Sequence, residues 1–146
     1  MSVRTICSNY DSVKAWQEPL YKDLHQHPEL SMREECTLGI IKDKLSDLGF
    51  HHIEVGGGVV GVLENGAGPT VMLRADFDGL PVKEDTGLEY ASTDSAVDQE
   101  GNTVPVMHAC GHDSHVASLL GMGALMAQAT DQWSGTLQLI FQPGEE

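Results

Sequence analysis

Three polar clusters in this 146-residue chain combine residue types and spacings that could hold a metal ion and activate water. The first is His108-Ala109-Cys110-Gly111-His112-Asp113. In an extended segment residues i and i+2 point to the same side, so Cys110 and His112 could grip one ion, with Gly111 leaving room between them. Thiolate plus imidazole suits a borderline cation such as Zn²⁺ better than Mg²⁺ or Ca²⁺. A bare Cys-x-His is as often a small buried cysteine beside an ordinary histidine, with Asp113 capping a helix. The surrounding His108, Asp113 and His115 favour a site.

The second cluster, Glu145-Glu146, offers two carboxylates that leave the backbone in different directions. One can bind metal while its neighbour faces an attacking water and accepts its proton. Most such pairs are solvated surface, but this one follows Pro143-Gly144 and an apolar run. The third is Arg74-Ala75-Asp76-Phe77-Asp78. Asp78 could accept a hydrogen bond from a ligand imidazole and set its tautomer, although Asp78-Gly79 before Leu80-Pro81 is also good turn chemistry. His25 and His27 are read as complements to a helix C-terminal dipole. His51, His52, Cys7 and Cys36 receive no role.

The spacing of apolar residues predicts the helices and strands that carry these clusters. Residues 13–27 form an amphipathic helix through Val13, Trp16, Leu20 and Leu24, ended by Pro28. A second helix is expected from Ser31, where Ser31 to Glu34 has capping-box form, with Leu38, Ile41, Leu45 and Leu48 on one face and Gly49 as terminator. Short strands follow at 53–55, 59–63 and 70–75, separated by glycine-rich turns. Residues 81–103 lack periodicity and read as a surface excursion, with a short strand near 104–107. Helical spacing returns from 114 to about 129, and Gly121, Gly123, Ala124 and Ala127 would let that helix lie close to a sheet. A compact apolar strand at 136–141 precedes Glu145-Glu146. Alternating helices and strands favour a layered α/β domain with a mixed sheet. If the strands share a direction, all three clusters meet at one rim.

Composition excludes some functions. Eight Lys and Arg against 22 Asp and Glu give a formal charge of −14, which repels nucleic-acid phosphates and anionic membrane surfaces. No apolar stretch is long enough to span a bilayer, and the first twenty residues lack a signal-peptide core. Three scattered cysteines argue against a disulfide framework and for a reducing cytoplasm.

Four segments, LHQHPELS (24–31), LRADFDGLPV (73–82), MHACGHDSH (107–115) and FQPGEE (141–146), together resemble the M20 metallopeptidase family. The chain is most similar to the amidohydrolase branch, which includes N-acyl-amino-acid, hippurate and indole-acetyl-amino-acid hydrolases. The resemblance implies a zinc-peptidase-like α/β/α domain and cleavage of the amide bond of N-acyl amino acids or small peptides. It implies a pair of divalent ions, Zn²⁺ or Mn²⁺, with Cys110, His112 and Glu146 at metal-ligand positions. Glu145 matches the general base and Asp78 the acidic residue that supports the site. In such proteins further ligands, the rest of the catalytic domain and an inserted α+β domain often used for dimerisation lie beyond the GEE motif. Residues 1–146 are therefore expected to be the amino-terminal part of the catalytic domain, inactive alone, from a parent that could be a homodimer. A non-catalytic metal-binding or interaction module of the same fold is the competing expectation.

Overall fold

The computed structural model describes residues 2–146. A short helix α1 (Val3–Ile6) and one 3₁₀ turn lead into α2 (Tyr10–Gln26), which buries Val13 and Leu24. Helix α3 (Glu35–Asp47) buries Ile41 and Leu45, the positions marked by their period. It stops in a Schellman turn: Phe50 N–H bonds Leu45 O at 2.9 Å and Gly49 N–H bonds Ser46 O at 3.0 Å, with Gly49 at φ 82°.

The start of α3 differs from the capping-box expectation. Ser31 and Met32 lie in a turn before the helix, and Met32 takes φ 61°, so the serine never reaches the N-cap. The cap comes from Glu29, whose carboxylate accepts the N–H groups of Cys36 at 3.0 Å and Thr37 at 2.7 Å. Two orphan donors of the first turn are satisfied by a charged acceptor at the positive end of the helix. Glu34 is thereby free for another partner.

Four strands form one mixed sheet: β1 (His51–Val55), β2 (Gly58–Asn65), β3 (Thr70–Asp76) and β6 (Gly135–Gln142), in the order β1-β2-β6-β3. The β1–β2 and β2–β6 pairs are antiparallel, whereas β3 and β6 run parallel with Asp76 opposite Gln142. The apolar strand at the end of the chain is thus interior, flanked on both sides. Within the 81–103 excursion lies a strand that the sequence did not signal. It is β4 (Ser95–Val97), which pairs antiparallel with β5 (Thr103–Pro105) as a separate ribbon.

Helix α4 (His112–Gln128) buries Val116, Leu119, Leu120 and Ala124. Its close seat on the sheet depends on Gly123: a Cβ there would come within 2.6 Å of Leu139 Cδ1 on β6. On the neighbouring strand Gly61, opposite Leu139, leaves the corresponding space for Leu45 of α3. Two helices therefore cover the same face of the sheet, and their approach is set by two residues without side chains. Gly121 opens a third notch, filled by Gln17 of α2, whose amide donates to Ala117 O at 2.9 Å. No helix among the described residues is long and apolar enough to cross a membrane.

Replacing Gly123 by Val should test this seat. Helix propensity alone would favour the change slightly, but overpacking against Leu139 costs about 1–3 kcal/mol. A lower midpoint in urea unfolding of Gly123→Val is expected; an unchanged or higher midpoint would show that the sheet yields freely.

Candidate metal centre

Because β3 and β6 are parallel, the segments after Asp76 and Gln142 emerge at the same end of the sheet. The His108–Asp113 cluster arrives by another route. Cys110 and His112 do not lie in an extended segment. Gly111 holds φ 78°, a left-handed conformation open to glycine, and serves as N-cap of α4 with His112 in its first turn. That bend, and not strand alternation, brings thiol and imidazole together.

Asp78 joins the clusters. It is buried, with Oδ1 3.0 Å from His112 Nδ1 and Oδ2 accepting the Glu146 N–H at 3.0 Å. His112 Nδ1 also lies 3.0 Å from Asp78 O. Both neighbours of Nδ1 are acceptors, so this nitrogen carries a proton, and the neutral form of the ring has its lone pair on Nε2. Nε2 stands 3.7 Å from Glu145 Oε2 and 3.6 Å from Asp76 Oδ1.

Two donor triads include His112. Cys110, His112 and Glu146 each place one potential ligand atom within 4.8 Å of the others, and so do Asp76, His112 and His115. Ligand bonds of about 2.0–2.3 Å to Zn²⁺ put donors of one tetrahedral shell inside that limit, so either set could gather on one ion with side-chain adjustment, the hydrogen bond between Asp76 and His115 giving way in the second. A thiol, an imidazole and a carboxylate therefore fit a borderline divalent ion. The exposed Cys110 thiol is held above its ordinary pKa first by its hydrogen bond to Glu146, then by partial desolvation and the nearby carboxylates of Glu146, Glu145 and Asp78. Asp76 is pulled below the usual carboxylate range: burial opposes the shift, but the hydrogen bond from His115 and the nearby His112 prevail.

The rim is braced by the connection between α2 and α3. Gly79 N–H donates to Glu29 O at 2.7 Å, fixing the turn after Asp78. A Cβ on Gly79 would sit 3.1 Å from Pro28 Cβ, so this approach favours glycine. Glu34, released from capping, accepts the Gly144 N–H at 2.8 Å and holds the Pro-Gly turn that presents Glu145 and Glu146. Neither glutamate role was visible as a motif. A cleft of about 290 Å³ opens beside Glu146, bounded in part by Leu30, Arg33, Leu80 and Pro81.

Of the two histidines read as helix-end residues, His27 keeps that role and His25 departs from it. His27 is exposed, and its Nδ1–H reaches the Asp23 carbonyl at 2.9 Å, in keeping with a helix-end role. His25 is buried and spends its nitrogens on carboxylates: Nδ1 is 2.6 Å from Asp113 Oδ2 and Nε2 is 3.0 Å from Glu84 Oε1. Burial opposes charging of His25, but the hydrogen bonds to Glu84 and Asp113 outweigh it and raise its pKa. Glu84 moves the other way: burial raises it, and hydrogen bonds from Thr86, His25 and Ser92 bring it below the usual range. His108 is buried with neither ring nitrogen hydrogen-bonded, and burial lowers its pKa.

The model for peptidase family M20/M25/M40 matches residues 72–146, the stretch that carries three of the four segments. The chain belongs to that family. It is 40% identical to thermostable carboxypeptidase 1 of Saccharolobus solfataricus over 149 aligned residues, covering 99% of this chain and 35% of that protein. Identity is also 40% to N-acetyl-L-cysteine deacetylase of Bacillus subtilis, covering 86% of this chain and 29% of the relative. Among solved structures, the Bacillus subtilis YxeP protein, described as a dinuclear metal binding peptidase of the M20 family, superposes with a TM-score of 0.81 at 34% identity. That superposition covers 92% of this chain and 36% of YxeP. The chain spans about a third of the length of these relatives.

Two outcomes follow from the geometry. Asp78→Asn leaves one oxygen to serve two donors and sets an amide N–H₂ against one of them. Zn²⁺ affinity should fall roughly 10–100-fold by competition with a chelating dye, while far-UV circular dichroism is retained. The buried pair of His25 and Glu84 should also shape stability against pH in metal-free protein. His25, with a raised folded pKa, stabilises fully below its unfolded value of about 6.5 and loses this as pH climbs through the folded value. Glu84, with a depressed folded pKa, stabilises above its unfolded value of about 4.3 and loses this as pH falls through the folded value. Thermal midpoints should therefore decline on the alkaline side, and His25→Gln should flatten that limb; an equally steep limb in the variant would assign it to other groups.

Proposed function

We propose that residues 1–146 are the amino-terminal part of an M20-type catalytic domain, in an enzyme that hydrolyses the amide bond of N-acyl amino acids or small peptides. The observation that carries this reading is the shared Asp78 carboxylate. It orients the His112 ring and anchors the Glu146 backbone, leaving the free His112 nitrogen beside Glu145. The carboxypeptidase and deacetylase names of the relatives support the substrate class. The dinuclear description of YxeP supports two divalent ions. Cys110, His112 and Glu146 would hold metal, and the thiol favours Zn²⁺, with Mn²⁺ the other candidate. Three donors are too few for two ions, so further ligands and the inserted domain would lie outside these residues, and this stretch alone would be inactive.

Bound divalent ions supply Lewis acidity to such a centre. Glu145, half-exposed beside the His112 ring, is positioned to take a proton from the attacking water. The water oxygen bonds to the amide carbon, the C–N bond breaks, and Glu145 returns the proton to the departing amine. Glu146 stays with Cys110 and His112 as a ligand, while Asp78 holds His112 in one tautomer throughout.

The test is Glu145→Gln in a form that carries the remaining catalytic domain. Turnover of N-acetyl amino acids should drop by roughly 10²–10⁴-fold with metal content by elemental analysis unchanged. Near-normal turnover would remove Glu145 from the role of base.

A further inference from the structure

Between α2 and the first turn of α4, a buried polar chain runs through His25. Its two ring nitrogens face Asp113 Oδ2 at 2.6 Å and Glu84 Oε1 at 3.0 Å. The outer oxygens are also used: Asp113 Oδ1 accepts the Ser114 N–H at 2.8 Å, and Glu84 Oε2 accepts the Ser92 N–H at 2.6 Å. Tyr90 meets the His25 ring edge-on at 5.4 Å between centroids, and Tyr21 lies 5.8 Å away. Ionised carboxylates only accept hydrogen bonds, so the ring satisfies both only by donating from both nitrogens, as an imidazolium. A neutral ring would turn a lone pair toward one of these carboxylate oxygens and set acceptor against acceptor in a buried site, even though Ser114 N–H still serves Asp113 and the Thr86 hydroxyl and Ser92 N–H still serve Glu84.

The two segments that His25 joins are those that orient the proposed ligand. Asp113 follows His112 in the first turn of α4. Glu84 lies on the chain leaving Asp78, downstream of the Leu80–Met107 bridge that ties this strand to the approach of the Cys110 turn. We propose that His25 is a positioning residue: its imidazolium, clamped between Glu84 and Asp113, fixes the first turn of α4 and so holds the His112 ring in register with Asp78. This rests on the reading of His112 as a metal ligand through Nε2. The clamp touches neither water nor substrate in that reading. It acts by keeping one ring tautomer and one ring orientation available to the ion.

Nitrogen-15 NMR of the metal-free chain, labelled at histidine, tests the clamp near neutral pH. His25 is expected to carry protons on both nitrogens and His112 on Nδ1 alone. In His25→Gln, whose amide can donate to one carboxylate while opposing the other, His112 should become a mixture of tautomers. Zn²⁺ affinity should then fall roughly 10–100-fold, the range seen for partners that orient ligands. Should His25→Gln fail to fold, Asp113→Asn keeps the side-chain shape, removes one charge of the clamp, and should shift His112 in the same way. A singly protonated His25, or an unchanged His112 tautomer and Zn²⁺ affinity in a folded variant, overturns the clamp. A wild-type His112 protonated on Nε2 overturns the ligand reading, and the clamp's role with it, by a separate signal.

Discussion

One buried carboxylate organises the rim of this fold. Asp78 gives an oxygen to the His112 ring and the other to the Glu146 amide, so two segments distant in sequence are referred to a single rigid group. Hydrogen bonds to an ionised acceptor are roughly twice as strong as neutral ones, and removal of either donor would leave charge buried and under-satisfied. The turn that carries Asp78 is itself pinned, through Gly79, to the carbonyl of Glu29. Two distant segments thus meet on one side chain, and a third holds the turn that carries it.

The rest of the molecule serves to hold that side chain still. Parallel pairing of β3 with β6 brings the Asp78 and Glu146 segments to the same edge. Left-handed Gly111 turns Cys110 back against the start of α4, and Gly123 lets α4 lie close to Leu139 on the sheet. Glu29 and Glu34 act in opposite directions from one connection, the first stabilising the start of α3 and the second restraining Gly144.

Much of this was legible because its causes are local. The spacing of Leu38, Ile41 and Leu45 marks α3, and the apolar run at 136–141 marks the interior strand β6. Cys110, His112, Asp78 and Glu146 were singled out because each sits in a short segment whose residue types already suggest metal chemistry. What stayed hidden depends on long-range pairing. His25 meets partners 88 and 59 positions away, and nothing in its neighbourhood distinguishes it from His27, which does behave as a helix-end residue. The Ser31–Glu34 capping signature failed because the positive φ of Met32 delays the helix until Glu35, and Glu29 supplies the cap from upstream. Strand β4 is three residues long, too short to show alternation.

The protonation of His112 has a further consequence. Asp78 has claimed one ring nitrogen, so the neutral ring offers a single lone pair, and both donor triads include that ring. Cys110 with Glu146 and Asp76 with His115 are therefore rival berths for a single imidazole seat, exclusive and not additive. Softness of the cation would arbitrate between them, a thiophilic ion settling on the sulfur side and an oxygen-seeking ion leaning toward Asp76.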